Sequence, residues 1–240
     1  GFSPSRGGTF PPSPRRETGL TAQLIFDFPR IGHYSLDRFV GGLAEKALAL
    51  RGESLWISGA AESGKSHLLQ GLCQAVESEQ ARAVYIALEP ALDPQILKDL
   101  AVFDLIALDG VDAVIGHPDW ELALFDLNNS VCDLGGSWLV LASRAPLPDI
   151  GFLLADFASR ARAMHWMQTG QLTDEEKVEV LKRVAQESGF QLPDEVLGFL
   201  LGRAPREIGT LISLLNRLAE ESLRAQRRLT VPFLKQVLEL

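Results

Sequence analysis

The sequence contains little cysteine and histidine and no long apolar run. Two cysteines and four histidines among 240 residues are too few for a disulfide framework, and their spacing does not match a set of metal ligands. Cys73 and Cys132 lie in apolar stretches with helical spacing, so we expect two buried free thiols. No segment approaches the roughly 18 consecutive apolar residues of a membrane-spanning helix. The amino-terminal residues also lack the apolar run of a signal peptide, and we expect a cytoplasmic protein that does not bind membranes.

Basic charge is also scarce. The 31 acidic and 23 basic residues give a net charge of -8, whereas proteins that bind nucleic acid chiefly through its phosphates usually carry a basic surface. The basic clusters are short, at 15–16 and 224–228, and are typical of solvated surface charge. The composition therefore argues against bulk nucleic acid as the main partner.

Apolar residues make up 46% of the chain, and their pattern predicts a layered α/β domain. Short apolar runs rich in strand-forming residues alternate with segments of helical spacing, which favours a parallel sheet covered by helices on both faces. The predicted strands lie within 54–60, 81–88, 103–110, 137–143 and 163–168, and the predicted helices between them cover 66–76, 93–100 and 119–134.

In the last third of the chain the pattern becomes entirely helical. Thr173 followed by Glu176 forms a capping-box signature, while Pro193, Pro205 and Thr230 mark the starts of three further helices. The first residues, by contrast, are rich in Pro, Gly, Ser and Arg, and cannot bury enough apolar surface to order themselves. We therefore expect a flexible tail over 1–20, an extended segment over 21–30, an α/β domain over 31–170 and a small helical domain over 171–240.

The segment GAAESGKSH at 59–67 matches the phosphate-binding pattern G-x-x-x-x-G-K-[ST] and lies between a predicted strand and a predicted helix. Glycines let successive backbone N–H groups point at one phosphate, and the helix adds the positive end of its dipole. Lys65 would neutralise the terminal phosphates, and the Ser66 hydroxyl would bind Mg²⁺. We expect bound ATP or ADP, and the predicted contacts from this segment are Gly59, Ala60, Ala61, Glu62, Ser63, Gly64, Lys65, Ser66 and His67.

The predicted strand at 103–110 ends on an acidic residue. Asp109 would hold Mg²⁺ through water, as the strand acid of P-loop proteins does. Many P-loop ATPases place a second carboxylate at the next position to activate the attacking water, but here that position is Gly110. Because glycine cannot accept a proton, we expect slow hydrolysis or none. Asp112 is the remaining candidate for the base. Its place in the strand-to-loop turn, however, favours a carboxylate that points away from the attacking water.

Several segments together resemble the DnaA-like AAA+ family and, within it, the short Hda-type regulators. The resemblance runs from about residue 22 to the carboxyl terminus. It implies an AAA+ fold in which Val40 lies beside the adenine and Ser143 is the polar sensor beside the terminal phosphate. It also implies that Arg206, in the helical domain, contacts the chain's own nucleotide. The segments that carry it are YSLDRFVGGLAEKAL (34–48), the phosphate loop, FDLIALDGVDAV (103–114), WELALFDLNNSV (120–131), LVLASRAPLPDI (139–150) and APREIGTLISLLNRL (204–218).

The segment DFASRARAMHW at 156–166 resembles the arginine-finger segment of the same family, and Arg160 occupies the finger position. Such an arginine reaches the γ-phosphate of a nucleotide bound by a neighbouring subunit and raises the rate of hydrolysis by about 10³–10⁵-fold. The alternatives are a surface arginine without this role and a finger at the nearby Arg162.

The segment AQLIFDF at 22–28 resembles the peptide by which Hda-type proteins bind the sliding clamp of the replicase. In this resemblance Gln23 forms hydrogen bonds at the edge of the clamp pocket, while Leu24, Phe26 and Phe28 are apolar anchors of a short extended peptide. The alternative is that these apolar residues pack against the α/β domain of the same chain.

The resemblance implies a regulator that binds an adenine nucleotide, with ADP as the resident form, docks on the DNA-loaded sliding clamp and promotes ATP hydrolysis by DnaA. DnaA carries a further helix-turn-helix domain beyond its helical lid, and this sequence does not, so we expect no sequence-specific DNA binding. The AAA+ faces also offer surfaces for homo-oligomers. Two alternatives stay open: a self-sufficient P-loop ATPase related to helicase loaders, with Asp112 as base, and an interaction module in which nucleotide only stabilises the fold.

Overall fold

The computed structural model describes Leu36, Phe39, 42–203 and 208–238, and its centre is a parallel sheet. The strands are β1 (Leu55–Ser58), β2 (Ala83–Ala87), β3 (Leu105–Asp109), β4 (Trp138–Ser143) and β5 (His165–Gln168). Their order across the five-stranded sheet is β2-β3-β4-β1-β5, and every neighbouring pair is parallel. The predicted parallel sheet is therefore confirmed. Because parallel strands end at the same edge, the residues after β1, β3 and β4 lie near one another.

Helices precede and connect the strands, and four more helices follow β5 along the chain. None of the described helices is both long and apolar enough to cross a membrane. The α-helices of the described residues are α1 (Leu43–Ala49), α2 (Lys65–Ser78), α3 (Pro118–Leu134), α4 (Ala155–Ala163), α5 (Asp174–Glu187), α6 (Asp194–Arg203), α7 (Ile208–Ala225) and α8 (Val231–Leu238).

Alternate residues of the central strands build two separate cores. On β1, Trp56 belongs to the core shared with α3 and α4, whereas Leu55 and Ile57 belong to the core shared with α1 and α2. On β3, Ile106 and Ala107 divide between the two cores in the same way. Since both faces of the sheet are covered, its strands consist of nearly continuous apolar residues.

The helices α5 to α8 form a third core of their own, as the helical pattern predicts. The capping box at the start of α5 is present: Glu176 N–H donates to Thr173 Oγ1 at 3.2 Å, and Thr173 N–H donates to Glu176 Oε2 at 2.7 Å. Leu211, Leu215 and Leu218 of α7 are fully buried in this core, and their spacing is that of one helical face.

The predicted helix over 93–100 is wrong. The segment instead forms two short 3₁₀ turns, Pro94–Leu97 and Leu100–Val102, separated by Asp99 in the left-handed region at φ 62°. The Asp93 side chain accepts a hydrogen bond from Gln95 N–H at 2.9 Å. Such local bonds favour turns over a longer helix.

The prediction that both cysteines are buried holds only for Cys73. Cys132 is exposed, because it lies in the last turn of α3, where the buried stripe ends at Val131. Its position beside an apolar residue in sequence did not reveal on which face of α3 it lies.

Alkylation should distinguish the two thiols. Iodoacetamide is expected to modify Cys132 of the native protein much faster than Cys73, because burial and, to a lesser extent, Glu77 raise the pKa of the Cys73 thiol to about 12 and the thiolate is the reactive form. Mass spectrometry of time-quenched peptides measures both rates. The denatured chain is the control, in which the rates should converge; similar rates in the native protein would contradict the described burial.

Candidate functional site

The predicted phosphate-binding loop connects β1 to α2 at the carboxyl edge of the sheet. Gly59 N–H donates to Ser143 O at 3.1 Å, which ties the loop to the end of β4. A Cβ atom at Gly59 would lie 1.8 Å from Thr169 Oγ1 and 2.7 Å from Ser63 Oγ. The first glycine of the pattern is therefore required by the close approach of Thr169, which follows β5. Gly64, at φ 85°, adopts the left-handed conformation that precedes α2.

Lys65 points back over its own loop. Its ammonium donates to the carbonyl oxygens of Gly59 and Ala60, both at 2.7 Å, and lies 3.4 Å from Ser63 Oγ. The residue is 7% exposed. Burial lowers the pKa of Lys65, while Asp109 and then Asp112 act in the opposite direction. The loop thus holds a desolvated cation at the place where the sequence pattern predicts terminal phosphates.

Asp109 and Ser66, the two predicted Mg²⁺-associated residues, are in direct contact. Asp109 Oδ2 accepts hydrogen bonds from the Ser66 hydroxyl and, at 2.9 Å, from the Tyr85 hydroxyl. Burial and the neighbouring Asp109 raise the pKa of Tyr85 well above its ordinary value, so the phenol remains a hydrogen-bond donor. A hydroxyl and a carboxylate oxygen fit Mg²⁺, which prefers few protein ligands together with phosphate and water. Among the described residues there is no cluster of three or more His, Cys, Asp or Glu side chains that could hold a metal alone.

The turn after Asp109 has a fixed shape. Gly110 adopts φ 73°, and a Cβ atom there would lie 3.3 Å from Leu88 O. Asp112 is engaged elsewhere: its carboxylate accepts hydrogen bonds from Arg144 N–H and Arg144 Nε, both at 3.0 Å. Its carboxylate is therefore shared with an arginine, which makes it a weak candidate for the base that activates water.

Ser143 ends β4 beside the loop, and its predicted role as the polar sensor stays a prediction. The residue is fully buried, and its hydroxyl accepts from Trp56 Nε1 at 2.8 Å and donates to Ala145 O at 2.7 Å. The buried indole N–H of Trp56 needs an acceptor inside the core. The next residue, Arg144, is the exposed polar side chain at this strand end.

Arg160 and Arg162 lie on α4, just before β5. Both are exposed, whereas Phe157, Ala158 and Ala161 form the buried stripe of the helix. Residues two apart on a helix do not share a face, so the two arginines flank this stripe on opposite sides. Within the described part of the chain, neither arginine forms an ion pair.

A buried carboxylate anchors the start of α4. Glu121 of α3 is fully buried, and its two oxygens accept hydrogen bonds from Gly116 N–H (2.9 Å), Leu153 N–H (2.8 and 3.0 Å) and Leu154 N–H (2.6 Å). Leu154 is the N-cap residue of α4 and lacks a side-chain cap of its own. Glu121 supplies that cap from another helix and adds a negative charge at the positive end of the α4 dipole.

Replacing Glu121 by glutamine is expected to lower the free energy of unfolding by about 1–3 kcal/mol, since an amide turns an N–H₂ group toward backbone donors that need an acceptor. Chemical denaturation measures this. The matched control is Glu220→Gln on α7, where the side chain is exposed and a change within about 0.5 kcal/mol is expected. Equal effects of the two substitutions would show that the Glu121 contacts do not stabilise the fold.

Six predicted site residues lie outside the described residues, and their predicted roles stay predictions: Val40, Arg206, Gln23, Leu24, Phe26 and Phe28. Four residues that the fold brings to this region were not predicted, because their partners are distant in sequence. A polar residue at a strand end was a signal for Arg144 and Thr169, whereas Tyr85, in the middle of β2, and Glu121 gave none.

Comparison with known proteins agrees with this architecture. The family described as "Hda, lid domain" matches residues 174–238. An uncharacterized protein of Haemophilus influenzae is 33% identical over 231 residues, which cover 92% of this chain and 100% of that protein.

Similar solved structures include the domain III of the Thermotoga maritima replication initiation protein DnaA, with a TM-score of 0.73 and 20% identity over 88% of this chain and 96% of that chain. AMPPCP-bound DnaA from Aquifex aeolicus gives a TM-score of 0.64 and 21% identity over 84% and 69%. The Thermotoga maritima RuvB branch migration motor gives 0.66 and 16% over 86% and 72%. The chain therefore belongs to the same family as the Haemophilus influenzae protein, has the fold of these DnaA and RuvB domains, and carries over residues 174–238 a lid domain of the Hda type.

Proposed function

We propose that this chain is an Hda-type regulator of replication initiation, which binds an adenine nucleotide and stimulates ATP hydrolysis by DnaA with Arg160. The observation that carries the proposal is the combination of a phosphate loop without a neighbouring catalytic carboxylate and an exposed arginine on a firmly anchored helix. The chain is poorly equipped to break its own nucleotide, and it presents a cation to the outside.

The nucleotide proposal rests on the loop and on Asp109. Backbone N–H groups of 59–64 would surround the phosphates, Lys65 would exchange its carbonyl contacts for phosphate oxygens, and Ser66 and Asp109 would hold Mg²⁺ directly or through water. When bound, Mg²⁺ would neutralise part of the phosphate charge. That a similar DnaA structure holds AMPPCP supports an adenine nucleotide, and we propose ADP or ATP.

The trans-acting role rests on Arg160. A guanidinium presents a rigid fork that fits phosphate oxygens, and charge that develops on a transferring phosphoryl group is stabilised by such a group placed in advance. Glu121 supports this role, because it fixes the backbone from which α4 begins. The same exposed face of α4 would serve in homo-oligomers, in which Arg160 would reach a second copy of the chain.

A reconstituted assay tests the proposal. The chain, its sliding clamp loaded on DNA and ATP-bound DnaA are mixed, and phosphate release is followed. Release should depend on all three components, while the chain alone should show little turnover. Brisk hydrolysis by the purified chain alone would favour the self-sufficient ATPase instead, although the engagement of Asp112 by Arg144 argues against it.

We further propose, from the resemblance of residues 22–28, that the chain docks on the clamp through Gln23, Leu24, Phe26 and Phe28. Replacing Gln23 and Leu24 by alanine is expected to weaken capture by immobilised clamp by about tenfold or more, because each lost anchor contributes roughly 1 kcal/mol or more. Nucleotide affinity should not change. The matched control is Asp27→Ala, within the same segment but outside the anchor set. Unchanged capture by the double variant would remove this segment from the interface.

A further inference from the structure

Thr169 directly follows β5 and packs against the phosphate-binding loop. Its N–H donates to Ser58 O, at the end of β1, at 2.7 Å, so its backbone continues the pairing of β5 with β1. Its hydroxyl lies where a side chain at Gly59 would lie, because a Cβ atom there would be 1.8 Å from Thr169 Oγ1. The first position of the loop is therefore shaped by a residue that does not belong to the loop pattern.

The Thr169 hydroxyl is one member of a hydrogen-bond chain whose direction follows from its two ends. Thr169 Oγ1 lies 2.6 Å from Ser63 Oγ and donates to Ser58 O at 3.2 Å. A carbonyl oxygen can only accept, and Thr169 has one hydroxyl proton, so the Ser63 hydroxyl donates to Thr169. At the other end the Lys65 ammonium can only donate, and it lies 3.4 Å from Ser63 Oγ. The chain therefore runs from Lys65 through Ser63 and Thr169 to Ser58 O.

Both hydroxyls of this chain are removed from water. Ser63 is 8% exposed and Thr169 is 7% exposed. A buried hydroxyl that loses its partner keeps its cost of desolvation without a hydrogen bond in return. Among the described residues, Thr169 is the acceptor recorded for the Ser63 hydroxyl. Thr169 thus fixes the direction of the Ser63 proton and leaves the Ser63 lone pairs turned toward Lys65.

Thr169 acts on Lys65 along a second route as well, through Gly59. The carbonyl oxygen of Gly59 accepts from the Lys65 ammonium at 2.7 Å, and the Cα atom of Gly59 is packed against Thr169. These contacts hold a cation whose pKa is lowered by burial. A group that is held in advance where the phosphates would bind loses less freedom when a ligand arrives.

We propose that Thr169 is a positioning residue of the phosphate site, which holds the loop and the Lys65 ammonium in the arrangement that receives a nucleotide. The inference rests on the proposed nucleotide binding by the loop, and it adds a residue from outside the loop pattern. Thr169 itself contacts no phosphate. Because it lies between β5 and the first lid helix, α5, it also joins the loop to the chain segment that enters the lid.

Fluorescent analogues of ATP and ADP test the proposal, with dissociation constants measured for Thr169→Ala and Thr169→Ser. The alanine variant is expected to bind both analogues about 3- to 10-fold more weakly, the effect of one lost hydrogen bond. The serine variant keeps the hydroxyl and lacks only a methyl group, so its affinities should stay within about twofold of the wild type. Ser63→Ala removes the same hydrogen bond from its other end and repeats the test if the alanine variant at 169 does not fold.

A Lys65→Ala background separates positioning from a general loss of structure. If Thr169 acts through the ammonium, Thr169→Ala should weaken binding by less than about twofold once Lys65 has been replaced, because coupled residues are not additive. Equal losses with and without Lys65 overturn the positioning role.

Thr173→Ala is the matched control. Thr173 lies a few residues further along the chain and caps α5, where it accepts from Glu176 N–H at 3.2 Å. Its loss should lower the stability of the fold and leave both affinities within about twofold of the wild type. Wild-type affinity of Thr169→Ala, or a loss that Thr169→Ser shares, overturns the assignment. A wild-type chain that binds neither analogue overturns the proposed function and this inference together.

Discussion

Replacing Arg160 by alanine is expected to reduce stimulation of DnaA by about 10³-fold or more, the range that a trans-acting arginine contributes to phosphoryl transfer. The side chain is exposed on α4 and its loss removes no contact of the core. Nucleotide affinity and the free energy of unfolding should therefore stay at their wild-type values. Phosphate release from ATP-bound DnaA, with the clamp loaded on DNA, is the measurement.

The matched control for this prediction is Arg162→Ala on the same helix. Arg162 is equally exposed but lies on the other side of the buried stripe, so stimulation should be retained. Arg160→Lys should recover only part of the rate, because an ammonium keeps the charge without the planar fork. If Arg162→Ala removes stimulation while Arg160→Ala does not, the finger belongs to Arg162. If both variants stimulate fully, α4 does not supply the activating group.

Replacing Lys65 by alanine is expected to weaken binding of both ATP and ADP by about 10- to 100-fold, since charge-assisted hydrogen bonds contribute roughly 1.5–3 kcal/mol. The reason lies in the loop: the ammonium is desolvated and held by the carbonyls of Gly59 and Ala60 at 2.7 Å. It is therefore already in place for an anion. Titration with fluorescent nucleotide measures the effect.

Lys46→Ala on the adjacent helix α1 is the control for Lys65, because that side chain is exposed and should not affect nucleotide binding. Unchanged affinity after Lys65→Ala would show that the loop does not hold phosphate in the predicted way.

Local patterns in the sequence were sufficient for the sheet and for the loop. The phosphate-binding pattern and the strands that precede Gly59 and Gly110 are short-range signals, because in each the neighbouring residues of one segment determine the backbone conformation. The capping box at Thr173 and Glu176 is of the same kind. Each depends on residues within a few positions of one another, and each is present in the structure.

Tertiary contacts account for what the sequence did not reveal. The anchoring of α4 by Glu121 joins residues about thirty positions apart, and the support of Arg144 by Asp112 joins residues of different strand ends. The Ser143 hydroxyl accepts a hydrogen bond from the buried indole of Trp56, on a neighbouring strand. No spacing rule within one segment predicts such pairs, because they arise only after the sheet has brought the strands together.

The left-handed turn at Gly110 has a consequence for how this protein could change over time. An L-residue there would adopt a backbone conformation that is unfavourable by about 1–2 kcal/mol, with its first side-chain carbon 3.3 Å from the carbonyl oxygen of Leu88. A side chain with a carboxylate at this position would require a small shift of the turn or of the chain just after β2. A single codon change from glycine to an acidic residue would therefore strain the turn before it could supply a base, so a gain of hydrolytic activity by substitution at this position would begin with a loss of stability.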